Sequence, residues 1–127
     1  MNMKQIISTP NAPQAIGPYS QAVEANGFVF VSGQIPIVPA TGQMPDGIEA
    51  QTEQVMRNIG AILEAAGLTY SNVAKTTVLL KSIADFATMN GIYAKYFTAD
   101  CPARAAFEVA ALPKGALIEV EVIAAKN

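Results

Sequence analysis

A chain of 127 residues, 51% hydrophobic and only 14% charged, is long enough for one domain with a real core and is more apolar than an ordinary soluble surface requires. Its formal net charge of −2, with no long run of lysine and arginine, argues against nucleic-acid binding through phosphate neutralisation. Histidine is absent and cysteine occurs once, which excludes histidine-based triads, papain-like dyads, internal disulfides and the usual zinc sites, and leaves arginine, lysine, carboxylates, hydroxyls, backbone and water for any chemistry.

The opening MNMKQIIST has neither the apolar core nor the cleavage pattern of a leader, and no apolar run approaches the roughly 18 to 20 residues of a membrane span. A cytoplasmic protein is the expectation. Residues 4–8 predict a short strand, broken by Thr9-Pro10-Asn11-Ala12-Pro13. Residues 19–24 alternate moderately, Asn26-Gly27 is a strong two-residue hairpin signal, and in 28–32 Phe28, Phe30 and Ser32 alternate with Val29 and Val31. This predicts a β-hairpin. Pro36, Pro39 to Gly42 and Pro45-Asp46-Gly47 then form an exposed connection.

From 48 to 66 the period becomes helical, with Val55, Ile59, Ile62, Leu63 and Ala66 on one stripe and Gln51, Glu53, Arg57 and Glu64 away from it. Gly67 is placed to supply a left-handed cap. Residues 73–81 predict a strand, completing a strand–helix–strand unit. A second helix follows, with Asp85 as its cap, Phe86, Met89, Tyr93 and Phe97 along one face, and Asp100-Cys101-Pro102 closing it.

The last quarter holds two alternating runs, 104–109 and 117–123, joined through Pro113-Lys114-Gly115, and reads as an antiparallel pair of strands. Alternation groups Ala105, Phe107 and Val109 with Ile118, Val120 and Val122, leaving Arg104, Ala106, Glu108, Glu119 and Glu121 together on the other face. One cation facing three carboxylates is either a solvated row of cross-strand ion pairs or the floor of a polar pocket. The expected fold is α+β in two layers: a mixed sheet of about six strands with two helices on one face, in a single domain spanning 1–127. The uncovered sheet face calls for oligomerisation, which would turn the charged row into a cleft between subunits.

Several blocks, IGPYSQ (16–21), VSGQIP (31–36), AAGL (65–68), KTTV (75–78), DFATMN (85–90), PAR (102–104) and EVAALPKGALIEVEVIA (108–124), resemble the RidA/YjgF family of reactive-intermediate deaminases, and the resemblance covers nearly the whole chain. It implies a chorismate-mutase-like fold, a homotrimer with three clefts between subunits, and cofactor-independent hydrolysis of enamines and imines such as 2-iminopropionate and 2-iminobutyrate to 2-oxo acids and ammonia. No metal, nucleic acid or membrane enters that chemistry. The alternative from a different class is a non-catalytic trimer that binds small 2-oxo acids at the same cleft and regulates or protects a partner.

The resemblance assigns Arg104 as the anchor of the substrate carboxylate, a role that a planar guanidinium fills with two parallel hydrogen bonds. Glu119 stands where the family glutamate holds the hydrolytic water. Tyr19 and Ser32 match hydroxyls that orient water or the substrate nitrogen, although Ser32 taken alone reads as a backbone-bonded hydroxyl. Gly33 matches a cleft wall that the ligand approaches closely, and Phe86 and Asn90 match positions lining the cleft from the adjoining subunit. Glu108 and Glu121 are read as structural. Ala106 stands where many relatives carry a cysteine, so a thiol there takes no part, though its backbone N–H remains available to a carboxylate oxygen. Cys101 is read as a loop residue.

Overall fold

The computed structural model describes residues 3–127. One six-stranded mixed sheet runs in the spatial order β1 (Gln5–Ile7), β2 (Ala22–Ala25), β3 (Phe28–Gln34), β6 (Ile118–Ala125), β4 (Val73–Leu80), β5 (Ala103–Glu108). Helices α1 (Ile48–Ala65) and α2 (Phe86–Tyr93) pack against each other over one face of it. The β2–β3 hairpin turns at Asn26 and Gly27, whose φ values of 53° and 82° are the positive pair that its tight turn demands.

The core lies between α1 and the covered sheet face. Val55, Met56, Ile59, Ile62 and Leu63 of α1 are fully buried, each contributing about 1.5–3 kcal/mol. They meet Val29, Val31, Val78, Leu80, Ile118, Val120 and Val122 from the sheet. Gly67, at φ 77°, ends the helix as expected: its N–H donates to Glu64 O at 2.9 Å and the Leu68 N–H to Leu63 O at 2.8 Å, which together satisfy two orphan carbonyls.

Four expectations are corrected. Gln51 is buried rather than turned to solvent, because its amide supplies partners to two chain segments crossing α1: Oε1 accepts from Leu117 N (2.8 Å) and Nε2 donates to Pro45 O (3.0 Å). Asp85 precedes α2 without a side-chain cap, and Ser82 caps the preceding 3-10 turn instead, accepting from Ala84 N at 3.2 Å. Helix α2 stops at Tyr93, yet Phe97 still packs on Tyr93 with ring centroids 4.7 Å apart.

The fourth correction moves the site. β5 and β6 are not neighbours: β4 lies between them, parallel to β5 and antiparallel to β6. The chain leaves β4 through α2 and returns as β5 beside it, so β4–α2–β5 is the adjacent parallel unit, whereas β6 separates the two strands flanking α1. Register then places Arg104, Ala106 and Glu108 beside Thr76, Val78 and Leu80 on the helix-covered face, and Ala105 and Phe107 beside Thr77 and Leu79 on the open one. Glu119 and Glu121 also pair with Leu79 and Thr77. Within one chain, Arg104 therefore faces the helices, and Glu119 and Glu121 face away from them.

Candidate active site

Arg104 lies on the edge strand β5, next to α2, whose Phe86, Asn90 and Tyr93 recur at intervals of four and three and so share one helix face. Its Nη1 donates to Asn90 Oδ1 at 2.7 Å, and its Cζ stands 5.3 Å from the Phe86 ring centre and 4.9 Å from that of Tyr93. The Tyr93 hydroxyl shares a buried hydrogen bond of 2.8 Å with Thr76 Oγ1, which fixes the ring under the guanidinium, and burial pushes its pKa up. Two rings and one amide thus hold the cation in place. The ion pairs among the described residues are Lys95–Glu53 and Lys126–Glu24, so Arg104 is held without its charge being neutralised. Beside it opens a pocket of about 380 Å³, lined by Asn90, Tyr93, Phe97, Cys101, Pro102 and Arg104.

On the open sheet face lies a second pocket, of about 460 Å³, which brings together Tyr19, Ser32, Gly33, Ile35, Glu119 and Glu121. A β-bulge builds its wall: between Val31, opposite Val122, and Gln34, opposite Val120, β3 advances three residues against two on β6, so Ser32 and Gly33 face a single residue. Ser32 Oγ donates to Ser20 O at 2.5 Å and can offer only lone pairs to anything in the pocket. The half-exposed Tyr19 hydroxyl accepts from Ile16 N at 3.4 Å and keeps its proton free to donate. Burial first, and then the nearby Glu121 charge, push the Glu119 carboxyl above its usual range.

Two buried amides hold this wall in place. Gln21 Oε1 accepts from Thr9 N (2.7 Å) and its Nε2 donates to the carbonyls of Thr9, Ala12 and Pro13, which pins the segment that leads to Tyr19. Asn58 of α1 donates to Ile35 O and Ile37 O at 3.2 and 2.9 Å, fastening the strand exit beneath the pocket. Removing Gln21 would orphan Thr9 N and the carbonyls of Ala12 and Pro13, and removing Asn58 would orphan Ile37 O.

The expected residues therefore fall into two groups rather than one. Arg104, Phe86 and Asn90 come together on the helix side, so the last two belong with the arginine of their own chain and not opposite it. Ala106 follows on the same face, partly buried against the core. Tyr19, Ser32, Gly33 and Glu119 come together on the open face. Glu108 is structural, as expected: its Oε1 accepts from Ile83 N at 2.8 Å. Sequence reasoning missed Tyr93 beneath the guanidinium, visible only as part of an aromatic stripe, and Cys101, whose loop position carried no signal that it lines the Arg104 pocket. Among the described residues no group of three or more His, Cys, Asp or Glu is placed to hold a metal ion, and no helix is long and apolar enough to cross a membrane.

Comparison with known proteins gives consistent matches. Residues 9–126 match the family model described as endoribonuclease L-PSP. Over 122 residues the chain is 54% identical to the chloroplastic Reactive Intermediate Deaminase A of Arabidopsis thaliana, covering 95% of this chain and 65% of that protein. It is 49% identical over 126 residues to the 2-iminobutanoate/2-iminopropanoate deaminase of Mus musculus, covering 98% of this chain and 93% of the other. The solved structure of E. coli TdcF with bound serine superposes with a TM-score of 0.94 at 42% identity, covering 97% of this chain and 99% of that one.

Proposed function

This chain belongs to the endoribonuclease L-PSP family, which is the RidA/YjgF family, and on that premise we propose that it hydrolyses reactive 2-imino and enamine acids, such as 2-iminopropionate and 2-iminobutyrate, to 2-oxo acids and ammonia without a cofactor. The observation that carries this reading is the Arg104 guanidinium: braced by Asn90, Phe86 and Tyr93, and without a carboxylate partner among the described residues, it is a preformed anchor for a small carboxylate. The serine bound to the similar TdcF is a ligand with such a carboxylate. The family's name points to RNA cleavage, but a chain with no histidine and a net charge of −2 is poorly equipped for it.

Arg104 grips the substrate carboxylate and Glu119 holds water. The water oxygen bonds to the carbon of the protonated imine as Glu119 takes one water proton, giving a neutral carbinolamine. Glu119 returns that proton to nitrogen, and as the C–N bond breaks and ammonia leaves, the carboxylate takes the hydroxyl proton, the carbonyl of the 2-oxo acid forms, and the proton passes to the departing ammonia. Ser32, already committed as a donor, accepts from the nitrogen or the water, and Tyr19 donates. Imines hydrolyse unaided, so a gain of about 10² to 10⁴ from acid–base help and orientation suffices.

Because the sheet separates the two pockets within one chain, the working cleft joins the Arg104 side of one subunit to the Glu119 side of the next in a homotrimer. The open face suits such a contact: Ile6, Phe28, Phe30 and Phe107 remain 59%, 44%, 41% and 47% exposed. The proposal includes one domain over residues 1–127 and a cytoplasmic setting, which the single free cysteine suits. The test couples the chain to a dehydratase that releases the imine and follows formation of the 2-oxo acid. Acceleration that disappears in a folded Arg104→Ala variant is expected; wild-type rates from that variant sink the assignment. Binding of 2-oxobutyrate without acceleration favours the non-catalytic trimer.

A further inference from the structure

Among the described residues five glycines adopt positive φ, and Gly33 is not one of them, so a left-handed backbone does not explain a glycine at the bulge. Space does. A Cβ built on Gly33 would stand 2.9 Å from Glu119 Cδ, 3.3 Å from its Cγ and closer still to Oε2, so the Glu119 carboxyl occupies the volume that a side chain at position 33 would fill. We propose that Gly33 is the positioning residue for Glu119, its missing side chain forming the seat that holds the carboxyl against the β3 backbone and beside Glu121.

This inference rests on the reading of Glu119 as the carboxylate that holds water. The seat keeps the carboxyl partly out of solvent and near a like charge, the two conditions that raise its pKa. An alanine at 33 would displace only the end of a flexible side chain, and the Gly33 φ lies outside the positive range that disfavours a side chain. The sheet therefore survives while the carboxyl swings outward and its water loses its holder. The bracing of Arg104 by Asn90, Phe86 and Tyr93 does not involve β3, so the anchor itself keeps its geometry.

The test is a double-mutant cycle on the full chain with Gly33→Ala, Glu119→Ala and the pair, read as kcat for imine hydrolysis and as affinity for 2-oxobutyrate, together with a carboxyl NMR titration of Glu119. Gly33→Ala alone is expected to lower kcat by about 10- to 100-fold, yet by less than about twofold when Glu119 is already alanine, with oxo-acid affinity preserved. In the single variant the Glu119 titration should fall toward the ordinary value of about 4.3. An equal loss in both backgrounds, or an unmoved titration, overturns the inference and leaves Gly33 meeting the ligand through its backbone. If Glu119→Ala keeps wild-type turnover, the catalytic reading of Glu119 fails separately, and the titration alone decides whether Gly33 seats its carboxyl.

Discussion

On the helix-covered side of the sheet, Arg104 is held by an amide at 2.7 Å and by two rings, one of them fastened through Thr76 to the buried core. On the open side, Glu119 has no such bracing: its carboxyl rests in the gap left by Gly33, partly buried and close to Glu121. The contrast suits a division of labour. A group that only anchors gains from rigidity and a permanent charge, whereas a group that takes and returns a proton gains from a raised pKa and some freedom to move. On the proposed mechanism neither side turns over substrate alone, because the sheet that supports both also separates them.

The largest effect should come from preventing the two sides from meeting. A charge on the open face, Phe30→Asp, is expected to yield folded monomers in size-exclusion chromatography with imine hydrolysis at the uncatalysed rate; an active monomer would break the comparison outright. Next come the two sides taken singly. Arg104→Ala should lower kcat/KM by about 100- to 1000-fold and abolish 2-oxo acid binding, since two charge-assisted hydrogen bonds are lost. Glu119→Gln should cost about 100-fold in kcat while binding of the 2-oxo acid persists. Loss of binding in both variants would erase the proposed division.

The smallest effect sharpens the account of Glu119. Its pKa is raised by burial and by Glu121, and the proposed mechanism needs the ionised form, so activity should fall with pH along a limb lying above the ordinary carboxylate value of about 4.3. Glu121→Gln removes one of the two causes, and the limb of the pH–rate profile should move to lower pH. An unmoved limb would show that Glu121 does not act on Glu119.

Much of this fold was legible in the residues. The Asn26-Gly27 turn, the apolar stripe of α1 and the Gly67 cap follow from local chemistry, and each forms as expected. Strand pairing was not legible. Alternation tells which residues of β5 share a face, but not which strand lies beside it or which face meets the core. Phe107, the largest apolar residue of that run, pointed to the core, yet it is 47% exposed on the open face while the small Ala106 packs inward. The misleading residue lies on the open face, the surface proposed above to meet another copy. The candidate residues therefore read as one set in the sequence, whereas the structure places them in two. Gln21 and Asn58, which hold the Glu119 pocket in place, carry no local signal because their partners are distant carbonyls.

The most direct measurement of the central proposal is complementation between subunits. Arg104→Ala and Glu119→Gln chains, each inactive alone, are unfolded, mixed in equal amounts and refolded together, and imine hydrolysis is assayed. If each cleft takes its arginine from one subunit and its glutamate from the next, every mixed trimer regains one intact cleft, and the random mixture should recover about a quarter of wild-type activity. A refolded mixture of trimers no more active than its two parents would place Arg104 and Glu119 of a single chain in the same cleft and contradict the account.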